Sequence, residues 1–167
     1  MKIVTRIFLG LLFCVPVGAQ QKLQGQDPNL RGISSIFIDV NDLPEIVSKQ
    51  GPTPDAIHNG IQLDVESLAH QAGLGVETDI NKFPSNPAMT YLAIFVLPGA
   101  GDTVAVSFEL IERAYINSKK ESGLVTIWAD APVALPSSDA STIRRFVKVK
   151  MTRFLKAWKS ANAGVTK

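Results

Sequence analysis

The chain has 167 residues, with 17 Lys and Arg against 15 Asp and Glu, a formal net charge of +2 and a single cysteine. That length fits one domain of ordinary size, the near-balance of charge does not indicate a globally basic nucleic-acid binder, and one cysteine excludes an intrachain disulfide framework. With 46% hydrophobic residues, the chain can bury a sizeable core without covalent staples.

The first residues, MKIVTRIFLGLLFCVPVGAQQ, fall into three parts. Lys2 and Arg6 give a positive start, Ile7 to Val15 form an apolar run too short for a membrane span, and Val17-Gly18-Ala19 supplies small residues for a peptidase. The pattern predicts a secretory signal cleaved after Ala19. Leu11 stands three places before Cys14, as in a lipoprotein signal, but Phe13 is bulky at the position before the cysteine, so lipidation at Cys14 is the lesser alternative. Cleavage leaves about 148 residues with no cysteine and no net charge, because Lys2 and Arg6 account for the whole excess. An exported chain without disulfides fits a bacterial envelope, either periplasmic or secreted. Gln20 to Arg31 reads as a flexible lead-in, residues 32–163 as a single domain and 164–167 as a tail. No other run is apolar enough to cross a membrane.

ISSIFIDV, residues 33–40, is β-branched and aromatic, and predicts a strand that stops at Asn41-Asp42 and Pro44. Thr53-Pro54-Asp55 carries a cap hydroxyl, a proline at the first helical position and an early acid, which together start a helix. Ile57, Ile61, Val65, Leu68, Ala69 and Ala72 repeat at helical spacing. Asn59-Gly60 weakens the first half and puts the firm start near residue 60, while Gly73 and Leu74 mark the end. Residues 75–80 predict a short edge strand, and KFPSNPAM a loop. TYLAIFVL, residues 90–97, is apolar on both faces and predicts a central strand. After the PGAGD turn, residues 103–116 alternate, with a bulge expected near Glu112. LVTIWA, residues 124–129, completes an antiparallel meander. Pro132 to Ser138 reads as a loop, and Ser137 or Ser138 as the cap of a last helix with Asp139 in its first turn. The order β-α-β-β-β-β-α predicts an α+β two-layer sandwich, a mostly antiparallel sheet of about five strands with two helices on one face.

The last helix contains RRFVKVKMTRFLKAWK, residues 144–159, with seven basic and no acidic residues. At 100° per residue, Ile143, Phe146, Val147, Met151, Phe154, Trp158 and Ala161 share one arc. Arg145, Lys148, Lys156 and Lys159 lie opposite, with Arg153 at the flank. Val149 and Leu155 are misfits on the charged side. Lys150 intrudes on the apolar side, where a lysine stem can lie along the surface with its head in water. The apolar arc predicts a helix packed on the sheet, and the cationic face offers a contact for anionic lipid, lipopolysaccharide or another polyanion.

No catalytic, cofactor or metal motif accompanies these elements. His58 and His70 are twelve residues apart and cannot form the i, i+4 pair of a helical zinc site, so local roles are expected of them. Asp64 and Glu66 do not face each other on a helix. Glu109 and Glu112 share a strand with Arg113, which can pair locally. Gly99-Ala100-Gly101 lacks the pattern of a dinucleotide or phosphate loop, and no esterase elbow is present. Trp128 reads as a packed or edge aromatic rather than the anchor of a groove.

DVESLAHQAGLGV, the Tyr-Leu-x-Ile-x-Val strand, VTIWAD and FLKAWKSAN, in that order from about Arg31 to Asn162, resemble a group of small exported bacterial proteins. The topology is similar to periplasmic α+β modules such as the amino-terminal domain of the Tol-Pal system's periplasmic protein. The resemblance implies the fold class and an envelope setting, and no catalytic residues. The expectation is an exported, non-catalytic binding or assembly module without cofactor, acting through a sheet face or edge or through the last helix on an envelope protein or anionic envelope surface. The alternatives are a peripheral binder of anionic surfaces through Arg145, Lys148, Arg153, Lys156 and Lys159, and a hydrolase whose carboxylates meet only in the fold.

Overall fold

A computed structural model of the chain describes residues 27–48, 51–79, 90–117 and 120–164. The leader with Cys14 and Ala19, most of the lead-in, the predicted loop of residues 82–89 and residues 165–167 lie outside the described residues. The element order is β1 (Ser35–Val40), α1 (Pro54–Ala72), β2 (Gly75–Glu77), β3 (Thr90–Pro98), β4 (Val104–Ile116), β5 (Glu121–Leu135) and α2 (Ala140–Asn162), with short 3-10 turns at Pro28–Leu30 and Glu45–Ser48. This is the predicted α+β order.

The five strands form one sheet in the order β2-β1-β3-β4-β5. It is mixed: β1 pairs parallel with β2 and with β3, and the longer β3-β4 and β4-β5 ladders are antiparallel. Alternation sets the faces. Ile36, Ile38 and Val40 of β1, Leu92, Ile94 and Val96 of β3, and Val104, Val106, Phe108 and Leu110 of β4 all point into one core, beneath Ile57, Ile61 and Val65 of α1 and Ile143, Val147, Met151 and Phe154 of α2. Full burial of such side chains contributes about 1.5–3 kcal/mol each. β3, third of five, is buried on alternate positions and also at Ala93 on the far face.

Two expectations at element ends change. α1 is unbroken from Pro54, with Thr53 accepting a bond from the Ala56 amide. Gly60 is tolerated because of what crosses it: a Cβ there would sit 3.1 Å from Arg144 Cζ. The end of α1 is as expected, with Gly73 at φ 84° and Leu74 buried behind it. The second change is at Pro132 to Leu135, which belong to β5 and not to a loop. Pairing passes from Phe108↔Asp130 to Val106↔Val133, so Ala131 and Pro132 stand opposite the single residue Ser107. In such a bulge on an edge strand a missing N–H costs no ladder bond. A second register shift lies between Leu110 and Ile111, beside the expected position at Glu112.

The cap of α2 is Asp139 itself, not Ser137 or Ser138. Its Oδ1 accepts from the Thr142 amide at 2.8 Å and the Ser141 hydroxyl, and its Oδ2 from the Ser137 hydroxyl. These hydrogen bonds, led by that from Ser137, hold its carboxyl well below the usual carboxylate range. The far end of α2 is tied to the start of the domain. Trp158 Nε1 donates to the Ile33 carbonyl, Asn162 Nδ2 to the Leu30 carbonyl, and Asn162 Oδ1 accepts from the Gly32 amide, all at 2.8 Å.

Candidate functional site

α2 runs for 23 residues, roughly 35 Å at the usual rise. Its seven cations divide into two sets. Arg144 spans the gap to α1, its Nη2 2.8 Å and Nε 2.9 Å from Asp64 Oδ2, and Lys148 Nζ lies 3.1 Å from Asp64 Oδ1. Asp64 is therefore the acceptor that locks the two helices side by side.

Lys150 departs from expectation. Its head is not in water: the residue is 1% exposed, and its Nζ donates to Asp130 Oδ2 and to the Ala131 carbonyl, each at 2.8 Å. The ammonium also lies 6.0 Å from the Phe108 ring centroid and 5.8 Å from that of Phe146, within the range of cation–π attraction. It fits among apolar neighbours because the β5 bulge turns both an acid and a carbonyl toward it. Leu155, a misfit on the helix projection, is buried, and Val149 remains exposed.

Arg145, Arg153, Lys156 and Lys159 form the second set. All four are exposed, and none has an ion pair or hydrogen bond among the described residues. Of the five residues singled out from sequence, Lys148 alone is tied to an acid, although half of its side chain stays exposed. Lys159 stands fourteen positions beyond Arg145, about 21 Å along the helix. Lys156 and Lys159 also rim a hollow of about 340 Å³ between the helices, whose floor includes Leu68 and Ala72 of α1 and Leu155 of α2. The helix projection located the lysines but not the hollow, since Leu68 and Ala72 of its floor come from the other helix.

Most of the remaining chemical groups are committed locally. His58 Nε2 lies 2.6 Å from the Val40 carbonyl, beside a second hollow of about 300 Å³ lined by Asp42, Leu43, Pro54 and Asp55. His70 is exposed in the last turn of α1. Glu66 accepts from Gln62, Glu112 from Thr90, and Glu109 from Thr126 at 3.5 Å. Arg113 makes no local pair, and its Nε is buried without a hydrogen-bond partner among the described residues. Also among the described residues, no group of three His, Cys, Asp or Glu side chains is placed to hold a metal ion, and no helix is long and apolar enough to cross a membrane.

The sheet face opposite the helices carries a second candidate surface. Phe37 and Tyr91 stack there with centroids 5.6 Å apart, and the Tyr91 hydroxyl donates to Asp39 Oδ2. Burial first, then the bond and charge of Asp39, push the Tyr91 pKa far above its ordinary value. Trp128 is not on this face: it packs against Phe154, centroids 5.2 Å apart, as a core aromatic. The β5 edge is partly closed by Pro132, by Lys150, and by Asn29, whose Nδ2 donates to the Ile127 carbonyl at 2.7 Å.

Fold and surface together define a two-layer α+β protein with a cationic helix face. No family model matches the chain, and no curated protein matches its sequence. Among solved structures, the chain is similar to a PelC dodecamer from Paraburkholderia phytofirmans, with 17% identity over 79% of this chain and 91% of that one and a TM-score of 0.43. It is also similar to a minor lipoprotein from Acinetobacter baumannii, with 8% identity over 74% and 91% of the two chains and a TM-score of 0.30. At these scores neither likeness bears on function.

Proposed function

We propose that the protein is an exported module of the bacterial envelope that works by binding or assembly rather than by chemistry, with the outward face of α2 as its principal contact surface. One observation carries this reading. Asp64 and Asp130 engage three of the seven α2 cations, while Arg145, Arg153, Lys156 and Lys159 stay solvent-facing with no acid among the described residues to meet them. The other buried or half-buried polar groups of α2 are used to hold the fold together. The amino-terminal signal pattern ending at Ala19 and the resemblance to small exported bacterial proteins support the envelope setting.

The test is site-specific photocrosslinking in intact bacteria producing the full chain, with the probe at Arg145 or Lys156 and, as a comparison, at Phe37 on the sheet face. The expected result is a discrete adduct from the helix positions in the envelope fraction. Adducts from Phe37 alone, or from no position, count against the reading.

A further inference from the structure

We infer that the outward side of the helix layer docks on an anionic phospholipid surface, with lipid phosphates on Lys156 and Lys159 and the neighbouring aliphatic chain entering the hollow between α1 and α2. This deepens the preceding reading and rests on α2 being the contact face.

Three observations select this occupant. The first is charge: four exposed cations share the outward half of one helix, and Asp64, the acid by which α1 meets α2, is already taken by Arg144 and Lys148. An anionic surface meets such a face without competition from the protein's own carboxylates. The second is composition. The same side of the layer holds out two large aliphatics, Leu63 at 67% and Val149 at 42% exposure. On a helical projection both stand opposite their own helix's buried stripe, so they share the outward side with the cations. The third is the hollow, whose lysines stand directly beside the apolar floor of Leu68, Ala72 and Leu155. A cation next to a small aliphatic pocket matches a molecule with a phosphate next to a hydrocarbon chain, as at a bilayer interface. The cations spread over about 21 Å of a convex helix and do not line a cleft, which suits a broad surface better than an acidic peptide segment.

The experiment uses the full chain in the form that the exporting cell yields. Its cosedimentation is measured with vesicles of phosphatidylcholine and of phosphatidylcholine mixed with phosphatidylglycerol, across a salt series. The expected result is binding only to the anionic vesicles, weakening as salt rises. A Lys156→Glu, Lys159→Glu double variant should lose at least about tenfold in partition, while Lys120→Glu, on the remote β4-β5 turn, should change it little. Equal binding to both vesicle types, or binding unmoved by the double reversal, overturns the inference. A second arm titrates isotope-labelled protein with dihexanoyl phosphatidylglycerol and, separately, with glycerol phosphate. Amide shifts at Leu68, Ala72, Lys156 and Lys159 should follow the lipid and not the headgroup, and equal responses would overturn the role of the hollow. A protein crosslinked through α2 in a chain that ignores anionic vesicles overturns the lipid inference and leaves the binding-module reading standing.

Discussion

Removing the Asp130 carboxylate should cost more than removing the lysine it serves. Lys150 is 1% exposed and has two acceptors, Asp130 Oδ2 and the Ala131 carbonyl. Asp130→Ala leaves a buried ammonium with one neutral acceptor and two aromatic rings. Breaking a buried pair from one side typically costs about 3–5 kcal/mol. Asp130 is itself 33% exposed, so water can replace part of its role, and the low end, about 3 kcal/mol, is expected. Lys150→Met also breaks the pair from one side, but the carboxylate it leaves is one-third exposed and open to water, so a smaller cost, about 1–2 kcal/mol, is expected. The double variant should therefore be more stable than Asp130→Ala alone. Urea unfolding followed by circular dichroism reads this directly: with a slope of about 1.5 kcal/mol per molar, Asp130→Ala should lower the midpoint by roughly 2 M. The reasoning is refuted if Asp130→Ala costs less than Lys150→Met, or if the double variant is no better than Asp130→Ala.

Four other outcomes are expected. Gly60→Ala should gain no stability despite alanine's helix propensity advantage of about 0.5–1 kcal/mol, because its Cβ would crowd the Arg144 guanidinium that holds Asp64, and a clearly higher thermal midpoint would contradict this. Asp139→Ala should cost about 1 kcal/mol at neutral pH through loss of the α2 cap. Because folding lowers the Asp139 pKa, its contribution should be fully present above the unfolded value near 3.8 and fade as pH falls further, so the wild-type and Asp139→Ala urea midpoints should converge in acid. Tyr91, its pKa raised by burial and Asp39, should stay protonated well beyond pH 10 in an absorbance titration; its stabilising share holds below pH 10 and is lost as pH rises through the higher folded value, and Tyr91→Phe should abolish that late step. Intact mass of the exported chain should begin at Gln20, and a lipid-bearing product retaining Cys14 would refute cleavage after Ala19.

The parts of the fold that were legible in sequence are those governed by near neighbours. The Thr53-Pro54-Asp55 cap, the Gly73-Leu74 end and the two-sided apolar run of β3 each depend on residues within one element, and each stands where capping and pattern put it, although the helix is continuous from Pro54 and not firm only from near residue 60. Three features were hidden because their partners are distant in the chain. Pro132 reads as a breaker until a bulge opposite Ser107 accommodates it. Gly60 reads as a weakness until Arg144, from the other end of the chain, lies across it. Lys150 reads as a snorkelling stem until Asp130 and the Ala131 carbonyl meet it inside. The cationic face was visible as a pattern, but its division was not, since only the fold shows that Asp64 engages Arg144 and Lys148 and leaves the remaining four exposed. The parallel pairing of β1 with β3 was also out of reach, because no short turn connects them.

The clasp between the two ends of the domain has a consequence for how the chain acquires its shape. Leu30, Gly32 and Ile33 obtain their hydrogen-bond partners from Trp158 and Asn162, at the opposite end of the molecule's sequence. A polypeptide is made from its amino end, so the Leu30–Ile33 segment emerges early and waits for the last turns of α2 to supply its partners. The meander β3-β4-β5, built from neighbouring hairpins, can organise as it appears, whereas closing a loop of well over a hundred residues is entropically costly and slow. The last turn of α2 thus acts as a completion signal: until it arrives, the segment that leads into the first strand lacks these partners, and stopping the chain before Trp158 should leave a product unable to close.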